Sequence, residues 1–205
     1  MAQNLSQKED SRVQRTRALL QLALIELTVE MGFATITVRD IARRARVNRS
    51  TFYRHYLDKY DLLNQYMDEL QAATTQAALL AEKTDHSGPE NAPPGLLVLV
   101  KHVEANADFY RVMLGRNGDP AFIERFRQFS ENRYRYLFSK YNLPTDVKAP
   151  PIEMRLAYLS YAGVGVILWW LESNKPCSPE QLAIWLGQLR MTSAGLIDVQ
   201  RTPAH

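Results

Sequence analysis

The segment at residues 37–56, TVRDIARRARVNRSTFYRHY, constrains the fold most, because it has the pattern of two short helices joined by a tight turn. The pattern predicts the first helix over residues 38–45 and the second over residues 49–56. Thr37 stands where an N-cap is expected, with Asp40 three residues on, which is the spacing of a capping box. Two helices joined by so short a turn form a helix-turn-helix, whose second helix can enter the major groove of DNA.

Each of the two predicted helices has an inward apolar face. Ile41, Ala42 and Ala45 share one face of the first helix. Phe52 and Tyr56 form an apolar i, i+4 pair on the second. Five other side chains of the second helix point away from this core, can all donate hydrogen bonds and include no acid: Arg49, Ser50, Tyr53, Arg54 and His55. A helix that presents such donors matches the design by which a helix-turn-helix reads the major groove.

A longer signature extends on both sides of this segment. It reads GFATITVRDIA from residue 32, ARVNRSTFYRHY from residue 45 and DKYDLL from residue 58. This signature resembles the DNA-binding domain of the TetR family of transcriptional regulators, and the match is continuous from about residue 15 to residue 63. Members of that family usually have glycine in the turn where this chain has Arg46. Because glycine there relieves a positive φ, we expect Arg46 to be mildly strained or the turn to differ slightly.

The resemblance implies an all-α fold with two domains. It implies a three-helix helix-turn-helix DNA-binding domain at residues 1–58 and a helical ligand-binding and dimerisation domain at residues 59–205, with about nine helices in total. Helical periodicity, caps and turn residues place the other helices, and the sequence contains no alternating strand pattern. The remaining predicted helices cover about residues 11–31, 59–83, 95–106, 109–114, 120–141, 152–172 and 179–197.

The charge of the chain is unevenly distributed. The 205 residues carry a net charge of +3, but residues 1–60 hold 11 Lys or Arg and 6 Asp or Glu, whereas residues 61–205 hold 14 and 16. The N-terminal part is therefore net +5 and the rest net −2. A basic N-terminal domain followed by a slightly acidic domain is typical of a DNA-binding domain attached to a regulatory domain. A solvated charged surface explains any single arginine here, but it explains the uneven distribution less well.

Several other classes of function find no support in the sequence. No nucleophile stands at motif spacing from a base, and no glycine-rich loop is of the phosphate-binding kind. The single cysteine, Cys177, excludes an intrachain disulfide, and His86 has no other metal ligand at a suitable spacing. We therefore predict no enzyme activity, no metal site and no cofactor. No apolar run has the length of a membrane span and the N-terminus has no apolar signal region, so we predict a cytoplasmic protein with no membrane partner.

The motif and the resemblance together predict how the chain contacts double-stranded DNA. Arg49 and Ser50, at the N-terminal end of the second motif helix, are best placed for base edges, and arginine is the commonest guanine reader. Tyr53, His55 and Lys59 suit phosphates, and for Lys59, at the N-terminus of the following helix, the family resemblance implies this contact. The predicted DNA-binding residues are Thr37, Arg39, Arg43, Arg44, Asn48, Arg49, Ser50, Thr51, Tyr53, His55 and Lys59.

The last two predicted helices, at residues 152–172 and 179–197, resemble the dimerisation bundle of TetR-type proteins. They combine small residues, which permit close helix approach, with more apolar surface than one flank of a small domain needs to cover. The predicted homodimer interface consists of Gly163, Gly165, Trp169, Leu182, Trp185 and Leu189. The alternative is that all of this surface is core within one chain. We favour the dimer because a two-fold helix-turn-helix protein needs its half-sites one DNA turn apart.

Aromatic residues of the C-terminal part are candidates for an effector pocket, since small-molecule sites are largely apolar with a few polar groups. The predicted ligand-binding residues are Phe109, Tyr110, Phe122, Phe126, Tyr158, Tyr161 and Trp170. The alternative is that these aromatics are plain core. The predicted function is a sequence-specific transcriptional regulator, a repressor released from a palindromic operator by an apolar small molecule. The alternative function is a DNA-binding adaptor regulated by a protein partner.

Overall fold

The computed structural model describes residues 2–82, 91–116, 118–140 and 150–193, with the backbone alone for residues 2–10, 82, 137, 140 and 191–193. These residues form nine α-helices and no strand, which confirms the predicted all-α class. The helices are α1 (Ala2–Met31), α2 (Val38–Arg44), α3 (Arg49–Tyr53), α4 (Lys59–Glu82), α5 (Pro94–Ala105), α6 (Ala107–Leu114), α7 (Pro120–Lys140), α8 (Ile152–Glu172) and α9 (Pro179–Ser193).

Helix α1 begins at Ala2, whereas the sequence predicted a start at residue 11. No glycine or proline precedes Gly32, so no residue of the kinds that break helices interrupts α1 towards the N-terminus. Gly32 adopts φ +80 and ends the helix, as predicted. The apolar face of the helix is buried except at Met31, which is 49% exposed in the last turn. The buried residues of this face are Leu20, Ala23, Leu24 and Leu27.

The chain divides into two compact units, at residues 1–71 and 72–205. The division lies inside α4, so the first turns of this helix belong to the N-terminal unit, and the predicted domain boundary after residue 58 stays a prediction. Within the N-terminal unit, α1, α2 and α3 contribute to a small apolar core. Its fully buried large side chains are Leu20, Leu24, Ile36, Ile41, Phe52, Tyr56 and Leu62. A close-packed core of this kind fixes the orientation of the helices that contribute to it.

The C-terminal unit contains α5 to α9, in which α7 packs along α8 and α5 packs along α9. Two predicted helix starts are confirmed by their caps. The Asp119 Oδ1 accepts from the Phe122 N–H at 3.0 Å, and the Ser178 Oγ accepts from the Gln181 N–H at 3.2 Å. Proline follows each cap at the first helical position, where the missing N–H would have had no partner within the helix. Helices α7 and α9 therefore begin where the sequence places them.

Helix α8 is long and apolar enough to span a membrane if only length and composition are considered. One of its faces is buried within the C-terminal unit through Leu156, Leu159, Ile167 and Trp170. The core helix of a water-soluble protein passes the same composition test. Helix α8 is therefore a core helix by its packing, and its opposite face is exposed.

Candidate nucleic-acid interface

A capping box fixes the start of α2. The Thr37 backbone is extended (φ −112, ψ 161), and its Oγ1 accepts a hydrogen bond from the Asp40 N–H at 3.3 Å. In return, the Asp40 Oδ2 accepts from the Thr37 N–H at 3.1 Å and from its hydroxyl at 2.6 Å. These bonds, more than the neighbouring arginines, hold the pKa of Asp40 below its ordinary value. The predicted capping box is confirmed, with Asp in place of the more usual Glu.

The turn between α2 and α3 contains one residue in the left-handed conformation. Arg46 has φ +55, so the strain expected from an arginine in the place of glycine is present. Next along the chain, the Val47 N–H donates to the Ala42 carbonyl at 3.0 Å, and Asn48 is extended at the start of α3. The side chain of Asn48 makes no capping bond. It is exposed instead, which leaves its amide open to a partner molecule.

Arg46→Gly is expected to raise the free energy of unfolding by about 0.5–1 kcal/mol, because glycine adopts φ > 0 without the clash of a Cβ. The gain is smaller than the strain, since glycine also loses more conformational entropy on folding. Urea unfolding measures the difference. Arg39→Gly is the matched control, on the exposed face of α2, and should lower stability by about 0.5–1 kcal/mol. An Arg46→Gly protein that is less stable than wild type would show that the turn is not strained.

Helix α3 (Arg49–Tyr53) is shorter than the predicted helix at residues 49–56. The residues after it form a final turn, in which the N–H groups of His55 and Tyr56 both donate to the Phe52 carbonyl at 2.9 Å. Phe52 and Tyr56 are buried as predicted, so the opposite face of this segment is exposed. The exposed residues of α3 and its flanks include Asn48, Arg49, Ser50, Tyr53 and Arg54. Every one of these side chains can donate a hydrogen bond.

Two residues of this exposed face contact each other. The Arg49 Nη2 donates to the Tyr53 hydroxyl at 3.1 Å, and the guanidinium carbon lies 5.4 Å from the centre of the Tyr53 ring. The pair has the i, i+4 spacing at which side chains on a helix meet. An exposed cation–π contact contributes about 0.5–1 kcal/mol, so Tyr53 helps to orient the guanidinium that the sequence assigns to base reading.

The three arginines of α2 that were predicted to bind DNA differ in their surroundings. Arg44 donates to Glu26 at 3.0 Å and to Glu30 at 2.5 Å, which ties α2 to α1. The hydrogen bond from Arg44 to Glu30 holds the pKa of Glu30 below its ordinary value. Arg43 is far more open, with 74% of its side chain exposed, and Arg39 is exposed as well. Arg43 nevertheless donates to one carboxylate oxygen, the Asp40 Oδ1 at 3.2 Å. A contact between DNA and Arg44 or Arg43 requires the guanidinium to leave a carboxylate, so the exposed Arg39 is best placed for phosphate.

His55 is partly buried close to two cationic side chains. Burial, followed by the charges of Arg17 and Arg54, lowers the pKa of His55 from its ordinary 6.5. The imidazole is therefore mainly neutral at pH 7, and it can offer a phosphate one N–H but not a full positive charge. Thr51 is half-buried, and its hydroxyl accepts from the Arg54 Nη2 at 3.2 Å.

Lys59, the first residue of α4, reaches the connection between α1 and α2. Its ammonium donates to the carbonyl oxygens of Phe33, Ala34 and Ile36 at 2.8, 3.0 and 3.0 Å. The sequence assigned this group to a DNA phosphate and contained no signal for bonds to residues so distant along the chain. In the structure the ammonium is bound by the protein's own backbone.

Two family models match the chain, one within each compact unit. The model for "Bacterial regulatory proteins, tetR family" matches residues 22–66, and that for "Transcriptional regulator C-terminal region" matches residues 90–191. The first match includes the capping box, the turn at Arg46 and the donor face of α3. The chain belongs to the TetR family of transcriptional regulators. It is a DNA-binding protein of the helix-turn-helix class, as the sequence resemblance implied.

Individual relatives of this TetR-family protein include both a curated sequence and solved structures. Over 175 residues it is 28% identical to the uncharacterized HTH-type transcriptional regulator YxbF of Bacillus subtilis (strain 168). The matched region covers 85% of this chain and 44% of that protein. The chain thus spans less than half the length of this relative. A TetR transcriptional regulator from Streptococcus agalactiae 2603V is 27% identical, with a TM-score of 0.61 over 90% of this chain and 98% of that one. NalD of Pseudomonas aeruginosa, the secondary repressor of the MexAB-OprM multidrug efflux pump, shares the fold at 22% identity, with a TM-score of 0.54 over 89% and 96% of the two chains.

The predicted effector residues of this TetR-family protein fall into two groups. The rings of Phe109, Tyr110, Phe122 and Phe126 are buried and pack on one another, with centroids 5.3 to 6.2 Å apart. Trp170 is also fully buried, and its Nε1 donates to the Cys177 carbonyl at 3.0 Å. Tyr158 and Tyr161 are 64% and 61% exposed on α8 and do not join the cluster. The buried rings form a packed aromatic core, and the two tyrosines lie on the surface.

The predicted dimer residues also divide by exposure. Those that remain exposed on α8 and α9 are Gly165, Trp169, Trp185 and Leu189. Gly163 and Leu182 are buried within the chain instead. A Cβ on Gly163 would lie 3.4 Å from the Ser130 Oγ of α7, so the missing side chain allows α7 to approach α8. The prediction is corrected for these two residues, which pack within one protomer.

Within residues 2–82, 91–116, 118–140 and 150–193, no group of three or more His, Cys, Asp or Glu side chains could hold a metal ion. His86 lies outside the residues that the structure describes, as does the predicted end of the last helix at residues 194–197. Cys177 is a half-buried free thiol in the loop that follows α8.

Proposed function

We propose that this protein is a homodimer that represses transcription from a palindromic operator and is released when an apolar small molecule binds its C-terminal unit. The observation that carries the proposal is the donor face of α3, which stands on a buried core inside a matched TetR DNA-binding domain. This face offers hydrogen-bond donors to bases and phosphates and contains no acid that a phosphate would repel. A protein with this function works in the cytoplasm, where it reaches DNA.

In the proposed complex, α3 lies in the major groove with Arg49 and Ser50 towards the base edges. Thr37, Arg39 and Arg43 belong to the N-terminal cap and the exposed face of α2, which then faces the phosphate backbone. Contacts to phosphate set the register of a protein on DNA without reading its sequence, whereas contacts to bases specify the site. Arg49 is supported for the second role by Tyr53, which holds the guanidinium on the exposed face.

The proposed dimer uses the exposed apolar residues of α8 and α9. Three large apolar side chains on these helices are about half exposed: Trp169 at 48%, Trp185 at 44% and Leu189 at 57%. Aromatic anchors of this size are enriched in protein–protein interfaces. A two-fold dimer also places two reading helices one DNA turn apart, which matches the symmetry of a palindromic operator.

The proposed effector is an apolar small molecule that binds among the buried aromatics of α6, α7 and α8. These rings pack on one another in the free chain, so the effector has to separate them to enter. The cluster then supplies apolar surface, and Tyr110 and His102 bring polar groups to it, with ring centroids 5.9 Å apart. Burial holds the pKa of His102 below its ordinary value, so that ring is neutral and compatible with an apolar ligand. NalD, named as a repressor, and DhaS, named as the dihydroxyacetone kinase operon activator, share this fold, so the fold is compatible with either direction of regulation.

In vitro transcription from the promoter of the protein's own gene tests this proposal. We expect the added protein to protect two inverted half-sites in a footprint and to reduce the transcript. We expect some apolar compounds to restore the transcript and to change the fluorescence of buried Trp170. A transcript that rises with added protein would make it an activator, and the absence of any protected site would contradict the proposed function.

An adaptor regulated by a protein partner is the second candidate. It is favoured by the exposed apolar stripe at Met154, Tyr158 and Tyr161, which extends along α8 beyond the predicted dimer residues. Tyr158→Ser and Tyr161→Ser separate the two candidates, because a ligand-controlled dimer should keep its response to the compound. Loss of regulation in cells, with DNA binding and compound response intact in vitro, would support the adaptor.

A further inference from the structure

The ammonium of Lys59 is held by a cage of backbone oxygens and rings. Its three bonds, to the carbonyls of Phe33, Ala34 and Ile36, match the three donors that an ammonium carries. The Nζ also lies 4.8 Å from the centre of the Phe33 ring and 5.5 Å from that of Tyr60. These two rings meet edge to face at 5.2 Å and close the sides of the cage. The cage thus satisfies a charged group that has been partly removed from water.

The cage connects two parts of the chain that DNA binding needs in a fixed relation. The carbonyls belong to the connection between α1 and α2, and this connection ends at Thr37, the cap of α2. On the other side, the Asp58 Oδ1 accepts from the N–H groups of Tyr60 and Asp61, both at 2.8 Å, so the start of α4 is itself fixed. Lys59 therefore ties the beginning of α2 to a rigid helix end.

We propose that Lys59 is a positioning residue for DNA recognition and not a phosphate ligand. It holds the connection at residues 33–36 and, through it, the Thr37 end of α2 in the position that allows the helix-turn-helix to enter its site. This inference rests on the proposed DNA binding. It differs from the role that the sequence suggested, because an ammonium that already donates to three carbonyls would have to leave them to reach a phosphate.

The two roles differ in their effect on salt dependence and on specificity. Loss of one phosphate contact flattens the log–log dependence of affinity on salt by about 0.9 and weakens all DNA sequences alike. Loss of a positioning contact leaves the number of phosphate contacts unchanged. It lowers affinity for the operator more than affinity for unrelated DNA, because only the specific complex depends on the exact placement of the reading helix.

The test uses Lys59→Met, which keeps an unbranched stem without the charge, and Lys59→Arg, which keeps the charge in a fork that cannot reproduce the three carbonyl bonds. Arg39→Met, at an exposed position on α2, is the control for loss of an exposed positive charge. Dissociation constants for the operator and for a scrambled duplex are measured across a series of salt concentrations and are corrected for the active fraction of each protein. Hydrogen exchange of the N–H groups at residues 34–37 is measured without DNA.

We expect both Lys59 variants to keep the wild-type salt slope, to lose roughly tenfold in the ratio of operator to scrambled affinity, and to exchange faster at residues 34–37. Arg39→Met should instead flatten the slope and leave the ratio unchanged. A flattened slope in Lys59→Met with full activity in Lys59→Arg would make Lys59 a phosphate ligand and overturn the inference. A lower melting temperature with unchanged ratio and slope would show a role in stability alone and would also overturn it. If wild type shows no preference for any DNA, the proposed function fails, while exchange still reports whether the cage holds the connection.

Discussion

Trp185→Asp is expected to give a monomer whose affinity for a palindromic operator is lower than that of wild type by on the order of 10²- to 10⁴-fold. The side chain of Trp185 is 44% exposed in the isolated chain and lies on the proposed dimer face of α9. An aspartate there would bury a charge without a partner in an apolar contact. Without the dimer each half-site must be bound independently, and the gain from the second binding event is lost. Light scattering at micromolar concentration and operator titration measure the two effects.

Leu79→Asp is the matched control for this variant. Leu79 is 45% exposed and apolar like Trp185, but it belongs to α4 and not to the proposed dimer face. It should remain dimeric and keep its operator affinity. Gly163→Arg is a less informative variant, because the new side chain meets Ser130 within the same protomer and should damage the fold. A wild-type protein that is monomeric at micromolar concentration would end the dimer proposal.

Arg49→Ala is expected to remove sequence preference at one position in each half-site. The guanidinium can pair with the O6 and N7 acceptors of one guanine, and such a bidentate contact contributes about 1–3 kcal/mol of discrimination. Selection of binding sites from a random DNA pool measures the preference at every position. The other positions of the half-site should keep their preference, since the apolar core beneath α3 does not include Arg49.

Tyr53→Phe is the control for the Arg49 variant. The Phe ring keeps the cation–π contact with Arg49 and loses only the hydroxyl that accepts its hydrogen bond. The sequence assigns the lost hydroxyl to a phosphate as well, and a phosphate contact carries no sequence information. We therefore expect weaker binding to all sequences alike, with the base preference retained. Unchanged preference in Arg49→Ala, or an altered preference in Tyr53→Phe, would mean that α3 lies in the groove in a different orientation.

The features that the sequence predicted well are those set by neighbouring residues. The capping box of Thr37 and Asp40 joins groups three residues apart, and Gly32 ends α1 through its own φ. The prolines after Asp119 and Ser178 likewise mark helix starts by a local rule. Such signals depend on short spacings along the chain, so they can be identified without any knowledge of the tertiary structure.

The contacts that the sequence missed join residues distant along the chain. Lys59 reaches carbonyls 23 to 26 residues away, and Arg44 reaches Glu30 from 14 residues away. From the sequence alone, a basic residue in a DNA-binding motif is predicted to bind phosphate, because a protein partner distant along the chain is not apparent. Only the packing of α1, α2 and α4 shows that these two cations are bound within the protein.

The C-terminal unit shows a second limit of sequence reasoning. Helix α8 is apolar on two faces, and periodicity does not tell which face is covered by the same chain. Gly163 lies on the buried face and Gly165, two residues on, lies on the exposed one. Composition likewise does not separate packed rings such as Phe122 from exposed ones such as Tyr161, because that depends on the neighbouring helices.

Selection of DNA from a random pool by the wild-type protein tests the central claim of sequence-specific recognition by a two-fold dimer most directly. We expect enrichment of one sequence made of two inverted half-sites, with their centres about 10 base pairs or a multiple of that apart. Affinity for this sequence should fall steeply with salt and exceed that for a scrambled duplex by at least roughly 10³-fold. Enrichment of a single half-site, or no enrichment over the starting pool, would contradict it.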